Sequence, residues 1–227
     1  EFASVALALQ AAPGTRLSAD MEYHHKKQPS VPGLGLLDAN GDGVGDTLPV
    51  SNYARLNLNN QRWSQPFEAT SGNVQFALDQ QLSTDWQARL AASVQRILIN
   101  DRLAFPDGCS SAATYVYPGL CANGDVDIYD YRSEGEERST WAWDARLRGK
   151  ADVLGLSHRV SVGVAGRRLS TDLAPKQAYN WVGTTNINVP IALPADPTAN
   201  DLNTNSRERA TDVYGSLVSD LGGAVQS

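Results

Sequence analysis

The chain has 227 residues and carries 25 acidic against 19 basic side chains, a formal net charge of −6. That length suits one large β domain or two small ones, and the acidic balance, with no basic stripe to track a phosphate backbone, argues against nucleic acid as a partner. No apolar run approaches the ~20 residues that a membrane-spanning helix needs, and the N-terminal EFASVALALQAAPG, with no basic start and no initiating Met, reads as a strand rather than a signal peptide.

The first elements form a hairpin. In SVALALQ, Val5, Leu7 and Leu9 share a face; in RLSADMEYHHK, Leu17, Ala19, Met21 and Tyr23 share one and Arg16, Ser18, Asp20, Glu22 and His24 the other. Successive strand side chains point to opposite sides, so this alternation gives each strand an apolar and a polar face. The intervening AAPGT is a tight Pro-Gly turn. His24 and His25 are adjacent and therefore point apart, which makes a shared metal unfavourable; with Lys26 and Lys27 they read as interface residues, and Tyr23 as a membrane-girdle aromatic.

A long polar stretch, 28–66, follows and contains LLDANGDGVGDTLP. Asp38, Asn40 and Asp42 fall at positions 1, 3 and 5 of a calcium loop, Gly43 at the sharp turn, the Val44 carbonyl at 7 and Asp46 at 9. Position 12, which should be a bidentate Glu, is Pro49, so the pattern fits a weak extracellular calcium turn better than an EF-hand; turn chemistry alone also accounts for Asp, Asn and Gly here.

The next hairpin pairs NVQFALD, with Val74, Phe76 and Leu78 on one face, with WQARLAASVQ, whose Trp86, Ala88, Leu90, Ala92 and Val94 share a face; LSTD joins them. The Gly-, Pro- and Ser-rich stretch 100–126 then carries the chain's two cysteines, Cys109 and Cys121, close enough to close a short disulfide in an oxidising compartment. Asn123, Asp125 and Asp127 recur at two-residue spacing, as a cation site or as a solvated loop end relieved by Arg132. A third hairpin sets Trp141, Trp143, Ala145 and Leu147 before a turn near 151–157, and Val160, Val162 and Val164 after it; Glu136 and Glu137 beside Arg138 read as a solvated strand face. After a last long loop, 172–208, TDVYGSLVSD is a weaker seventh strand.

Alternation alone fits both a soluble β-sandwich and a membrane barrel. The connections decide between them. Short turns close each hairpin and long polar loops join one hairpin to the next, the layout of an outer-membrane barrel with short periplasmic turns and long extracellular loops. Repeated structureless loops of that length are unusual in a compact soluble domain. The expected fold is therefore all-β: an antiparallel up-and-down meander, a partial transmembrane β-barrel over residues 1–227. About seven strands cannot close a barrel, and its open edges would leave backbone groups unpaired in lipid.

The strings NLNNQRWSQPF, DVDIYDYRSEGEERST, QAYNWVGTTNI and SVPGLGLLD resemble segments of TonB-dependent siderophore receptors, over nearly the whole chain up to about residue 212. That resemblance implies the early strands of a 22-stranded outer-membrane barrel. Neither an N-terminal plug with its energy-coupling box nor an aromatic-ended final strand is found, since the chain stops at GGAVQS. It further implies a receptor segment that binds a ferric siderophore outside and, through the missing plug, answers to the TonB system; outer-membrane lipid is the other partner and no resident cofactor is required. Trp63, Tyr115, Tyr117, Tyr179, Asn180 and Trp181 offer flat surfaces and hydrogen bonds for such a chelate. No nucleophile elbow or HExxH stands out, so an enzyme is not expected. The alternative is a secreted, calcium-stabilised β-sandwich for binding or adhesion.

Overall fold

The computed structural model describes residues 1–49, 56–113, 115–174, 176–198 and 204–220; the GGAVQS ending lies outside them. Eight strands occur in chain order: β1 (Phe2–Ala12), β2 (Thr15–Gln28), β3 (Gln65–Gln81), β4 (Trp86–Pro106), β5 (Asp125–Val153), β6 (Leu156–Asp172), β7 (Lys176–Asn186) and β8 (Ser206–Asp220). They form one antiparallel sheet ordered β1-β2-β3-β4-β5-β6-β8, with β7 paired to β5 off that path. The sheet stays open, with β1 and β8 at its edges. No second sheet packs against it among the described residues, which removes the sandwich alternative.

The turns are as short as the sequence requires. Gly14, at φ 77°, closes the β1–β2 hairpin after Pro13. Leu154 and Gly155 both have positive φ, 53° and 76°, the signature of a two-residue type I′ turn whose twist matches the strands it joins.

β7 corrects the sequence reading. QAYNWVG was expected inside the 172–208 loop; it forms a strand instead. β5 is 29 residues long, far beyond the ~9–11 a tilted crossing uses. Its lower part pairs with β6 from Glu137↔Asp172 downward, and its upper part with β7 from Glu134↔Lys176 upward. β7 therefore continues β6 after a break of three residues, and the two act as one interrupted strand. The meander of seven passages survives, with two of its walls rising well above the membrane.

Register shows how the apolar faces line up. One row runs Val5, Met21, Val74, Val94 and Trp141; the next Leu7, Ala19, Phe76, Ala92 and Trp143; a third Leu9, Leu17, Leu78, Leu90, Ala145, Val164 and Val213. Most of these side chains are exposed, Phe76 at 61% and Trp141 at 61%, and the rest, among them Val74, Leu78 and Val164, are half-buried. In water that would be a severe liability; in a bilayer it is the lipid-contacting belt. The opposite face carries Arg16, Asp79, Arg89 and Arg146 in register, with Arg89 donating to both Asp79 oxygens at 3.1 and 3.0 Å. That face suits a wet channel wall.

The buried core lies elsewhere, above the belt. Leu58, Ala104, Leu120, Val126 and Ile128 are almost wholly enclosed, with Leu34, Leu56, Trp63, Val182, Ile187 and Leu193 packed around them. The described residues of 29–64, 107–124 and 187–205 supply most of this core, so parts of three loops far apart in the sequence pack into one outer cap on the tall ends of β4, β5 and β7.

Candidate functional site

β4 runs without a bulge, so alternation carries its channel face from Ser93 and Gln95 up to Leu103 and Phe105. On β5 an extra residue at Gly135, φ 85°, shifts the register between Glu136 and Glu134. Above that bulge Tyr131 and Tyr129 face Leu103 and Phe105, on the channel side. β7 then brings Tyr179 opposite Tyr131 and Trp181 opposite Tyr129.

The result is a tyrosine face at the outer mouth. Tyr129 and Tyr179 stack with ring centroids 4.6 Å apart and planes 5° from parallel; Phe105 and Tyr131 meet Tyr179 edge-on at 5.9 and 6.4 Å. Tyr115 and Tyr117, themselves stacked at 6.2 Å, adjoin the group, with Tyr115 hydrogen-bonded to Tyr129. The Tyr179 hydroxyl donates to Asp107 at 3.0 Å. Burial, then the Tyr115 bond and nearby carboxylates, push Tyr129 up to about 12. Burial and the bond to Asp107 raise Tyr179 as well. Both hydroxyls remain uncharged through any ordinary pH, with the Tyr179 proton held by Asp107.

Of the six candidate ligand residues, Tyr115, Tyr117, Tyr179 and Trp181 stand on or beside this face. Asn180 does not: as the neighbour of Tyr179 and Trp181 on a strand it points the other way, where it donates to Asp196 and, at 3.1 Å, to Thr198. Trp63 packs on the cap core, its indole N–H donating to the Leu193 carbonyl at 3.2 Å and its ring beneath the Arg102 guanidinium at 5.3 Å. Tyr129, Tyr131 and Phe105 were not singled out from the sequence. The signal lay in DIYDYR, whose tyrosines alternate with aspartate at a strand's period.

The back of this face is held by charge. Asp130 accepts from Arg102 at 3.2 and 2.9 Å, from Arg132 at 3.1 and 2.8 Å, and from the Asp196 amide at 3.1 Å. Burial pushes its carboxyl upward; the two arginines and the Asp196 amide outweigh it and leave it below the usual range. Arg132 is thus committed to Asp130 and does not relieve Asp125 or Asp127. Those bind Ser111, Asn123 and Asn186, each at 2.8 Å, and Ser110 and Thr184 at 3.0 and 2.6 Å. Glu136, expected on a solvated face, is buried between Ser133 at 3.0 Å and Arg138 at 2.6 Å.

Cys109 and Cys121 form a disulfide, Cα–Cα 5.6 Å, packed with Val116 in a second small buried cluster. In the loop of Asp38, Asn40, Asp42, Val44 and Asp46, the Asp38 carboxylate accepts the Gly41, Asp42 and Gly43 amides at 2.7, 3.1 and 2.9 Å. Both its oxygens serve the turn itself, and Asp42 accepts from the Val44 amide at 2.9 Å. Among the described residues no group of three or more acidic, His or Cys side chains is placed to hold a metal ion.

No family model matches the chain. A ferric-pyoverdine 358 receptor of Pseudomonas putida is 27% identical over 133 residues, 59% of this chain and 14% of that protein. The ferripyoverdine receptor of the Pseudomonas aeruginosa outer membrane superposes over 96% of this chain and 27% of its own, at TM-score 0.69 and 18% identity. The open form of the ferric-catecholate import receptor Fiu of E. coli K12 does so over 98% and 34%, at TM-score 0.64 and 13% identity. The chain therefore spans about a third or less of each of these three proteins. In fold the chain matches part of the β-barrel wall of outer-membrane receptors, and over 59% of its length its sequence is similar to a ferric-pyoverdine receptor.

Proposed function

We propose that this segment forms part of the ligand-binding mouth of an outer-membrane receptor that takes up ferric siderophores, with energy reaching the whole protein through TonB. The observation that carries the reading is the tyrosine face: Tyr129, Tyr179, Tyr115 and Tyr117 stand together on the channel side, at the outer end, on strands braced from behind by Asp130 and its two arginines. A siderophore–iron complex is bulky, partly flat and rich in oxygen acceptors. Stacked rings offer the flat part a matching surface and their uncharged hydroxyls a polar edge, and a rigid face loses little entropy on binding. The curated relative's ferric-pyoverdine ligand makes that chelate the first probe.

In the full-length receptor, Tyr179→Ala should weaken ferric-pyoverdine binding about tenfold, the scale of one aromatic anchor worth about 1–2 kcal/mol, as read by quenching of receptor fluorescence. Asn180→Ala, on the opposite face, should change it less than twofold. Equal effects of the two substitutions, or an unchanged affinity with Tyr179→Ala, would reject the tyrosine face as the binding surface. Calcium in the Asp38–Asp46 loop stays outside this proposal, because the loop's own amides occupy the Asp38 carboxylate.

A further inference from the structure

Tyr115 and Tyr117 differ from the other rings of the tyrosine face in standing on a loop rather than a strand. A strand's ladder fixes where its side chains point, whereas a loop side chain is placed by whatever holds its backbone. Two sets of bonds hold this loop. One runs to β5, where the Asp107 amide donates to the Asp127 carbonyl at 3.0 Å and the Asp127 amide to the Gly108 carbonyl at 2.9 Å. The other runs to the acidic turn 36–47. There the Tyr117 amide donates to the Gly43 carbonyl at 3.4 Å and the Gly45 amide to the Pro118 carbonyl at 3.3 Å. The Leu120 amide donates to the Leu36 carbonyl and the Asp38 amide to the Leu120 carbonyl, both at 2.8 Å.

The two segments cross at glycines. A Cβ at Gly35 would fall 2.8 Å from the Gly119 Cα, and one at Gly119 would fall 3.0 Å from the Gly45 Cα. One at Gly45 would lie 2.4 Å from the Leu36 carbonyl oxygen. Bare backbone passes at such separations and a side chain does not. Asp38 stiffens the turn from within. Its buried carboxylate accepts the Gly41, Asp42 and Gly43 amides, charge-assisted bonds that fix the peptide groups around Gly43. The Gly43 carbonyl is the acceptor for Tyr117, and Leu37 bridges Thr47 and Leu120 at once. The acidic pattern that resembles a cation loop thus supplies acceptors to its own amides, and its backbone grips the loop that carries Tyr115 and Tyr117.

We propose that the turn 36–47 is a strut that sets Tyr115 and Tyr117 in place for the ferric chelate, with Gly35, Gly45 and Gly119 forming the crossing and Asp38 as a positioning residue. The inference rests on the tyrosine face being the binding surface. The test is ferric-pyoverdine binding by the full-length receptor, read by fluorescence quenching, together with the fluorine resonance of 3-fluorotyrosine placed at position 117. Gly35→Ala, which forces the crossing apart, should weaken binding about fivefold, the scale of coupling between residues in contact. Asp38→Asn, which loses one of the two acceptor oxygens, should act in the same direction. Gly33→Ala, with open space where its Cβ would stand, should leave affinity within about twofold. With Tyr115→Ala and Tyr117→Ala already in place, Gly35→Ala should have no further effect, whereas a general loosening of the cap would still weaken binding. The fluorine line should shift or broaden with Gly35→Ala and Asp38→Asn, without chelate, and stay in place with Gly33→Ala. Additive losses in that cycle, or a fluorine line that Gly35→Ala leaves unmoved, would overturn the strut. Tyr179→Ala separates the strut from the surface. If it weakens binding and Gly35→Ala does not, the strut fails and the tyrosine face stands; if neither does, the face falls and the strut with it.

Discussion

The membrane wall and the outer cap are built from the same strands but obey opposite rules. In the wall, large apolar side chains such as Leu7, Phe76 and Trp141 point away from the protein and remain exposed, while the other face is polar. In the cap, Ile128, Leu120 and Leu58 turn inward and are enclosed as in any soluble protein. β5 passes from one regime to the other across the Gly135 bulge, so one strand meets two solvents. What holds the wall is its ladder of backbone hydrogen bonds and the lipid around it. The cap is held by a small hydrophobic core, a disulfide and the Arg102–Asp130–Arg132 cluster. Perturbations should therefore act on one region and spare the other.

The sharpest separation should come from the cap core. Ile128→Ala removes a fully buried side chain and should cost about 2–5 kcal/mol, felt as lost hydrogen-exchange protection at the Ala104 and Asp127 amides of the full-length receptor, with the β3–β4 ladder unaffected. If the wall amides exchange faster to the same degree, the two regions are one cooperative unit and the comparison fails. The reciprocal change is Phe76→Arg, a charge in the middle of the lipid belt. It should destabilise the receptor by about 2–4 kcal/mol in phospholipid vesicles on urea unfolding, whereas Gln75→Arg, one residue away on the channel face, should have little effect. Equal costs would mean that the faces are assigned wrongly.

Reducing the Cys109–Cys121 disulfide frees a loop with a sequence separation of 12, which should loosen the cap by about 3 kcal/mol. The readout is exchange at the Val116 amide with and without reductant, and no change there would show the disulfide to be dispensable. The gentlest test is alkaline titration. Tyr129 and Tyr179 have raised values in the folded cap, so the stability they contribute is complete below the unfolded value of about 10 and is lost as pH climbs through the folded values. For Tyr129 that window reaches about 12. Tyrosinate absorbance from Tyr129 and Tyr179 should appear only together with opening of the cap. Ionisation of these two near pH 10 with the cap still closed would contradict the buried, bonded face.

Much of the wall was legible in the chain. Val5, Leu7 and Leu9, and Val74, Phe76 and Leu78, announce their faces through nothing more than period two, and Pro13-Gly14 announces its turn. The cap was not legible in the same way. QAYNWVG, lying between polar segments, read as loop because only its pairing with the overlong β5 makes it a strand. Trp63 looked like a ligand contact because an aromatic in a polar loop has no local signal of burial; its partner Leu193 is 130 residues away. Asn180 was grouped with Tyr179 and Trp181 on sequence adjacency, which in a strand means opposite faces.

The sequence by itself determined the alternating faces, the hairpins, the long outer connections and the position of the cysteine pair, because each follows from the geometry of a single extended strand or turn. Only the tertiary structure decided which loops pack together, that β7 carries β6 upward past its break, that Arg102 and Arg132 converge on Asp130, and that aromatics from β4, β5, β7 and the Cys109–Cys121 loop form one surface. Those outcomes depend on register and burial between residues far apart in the chain, and no local pattern encodes them.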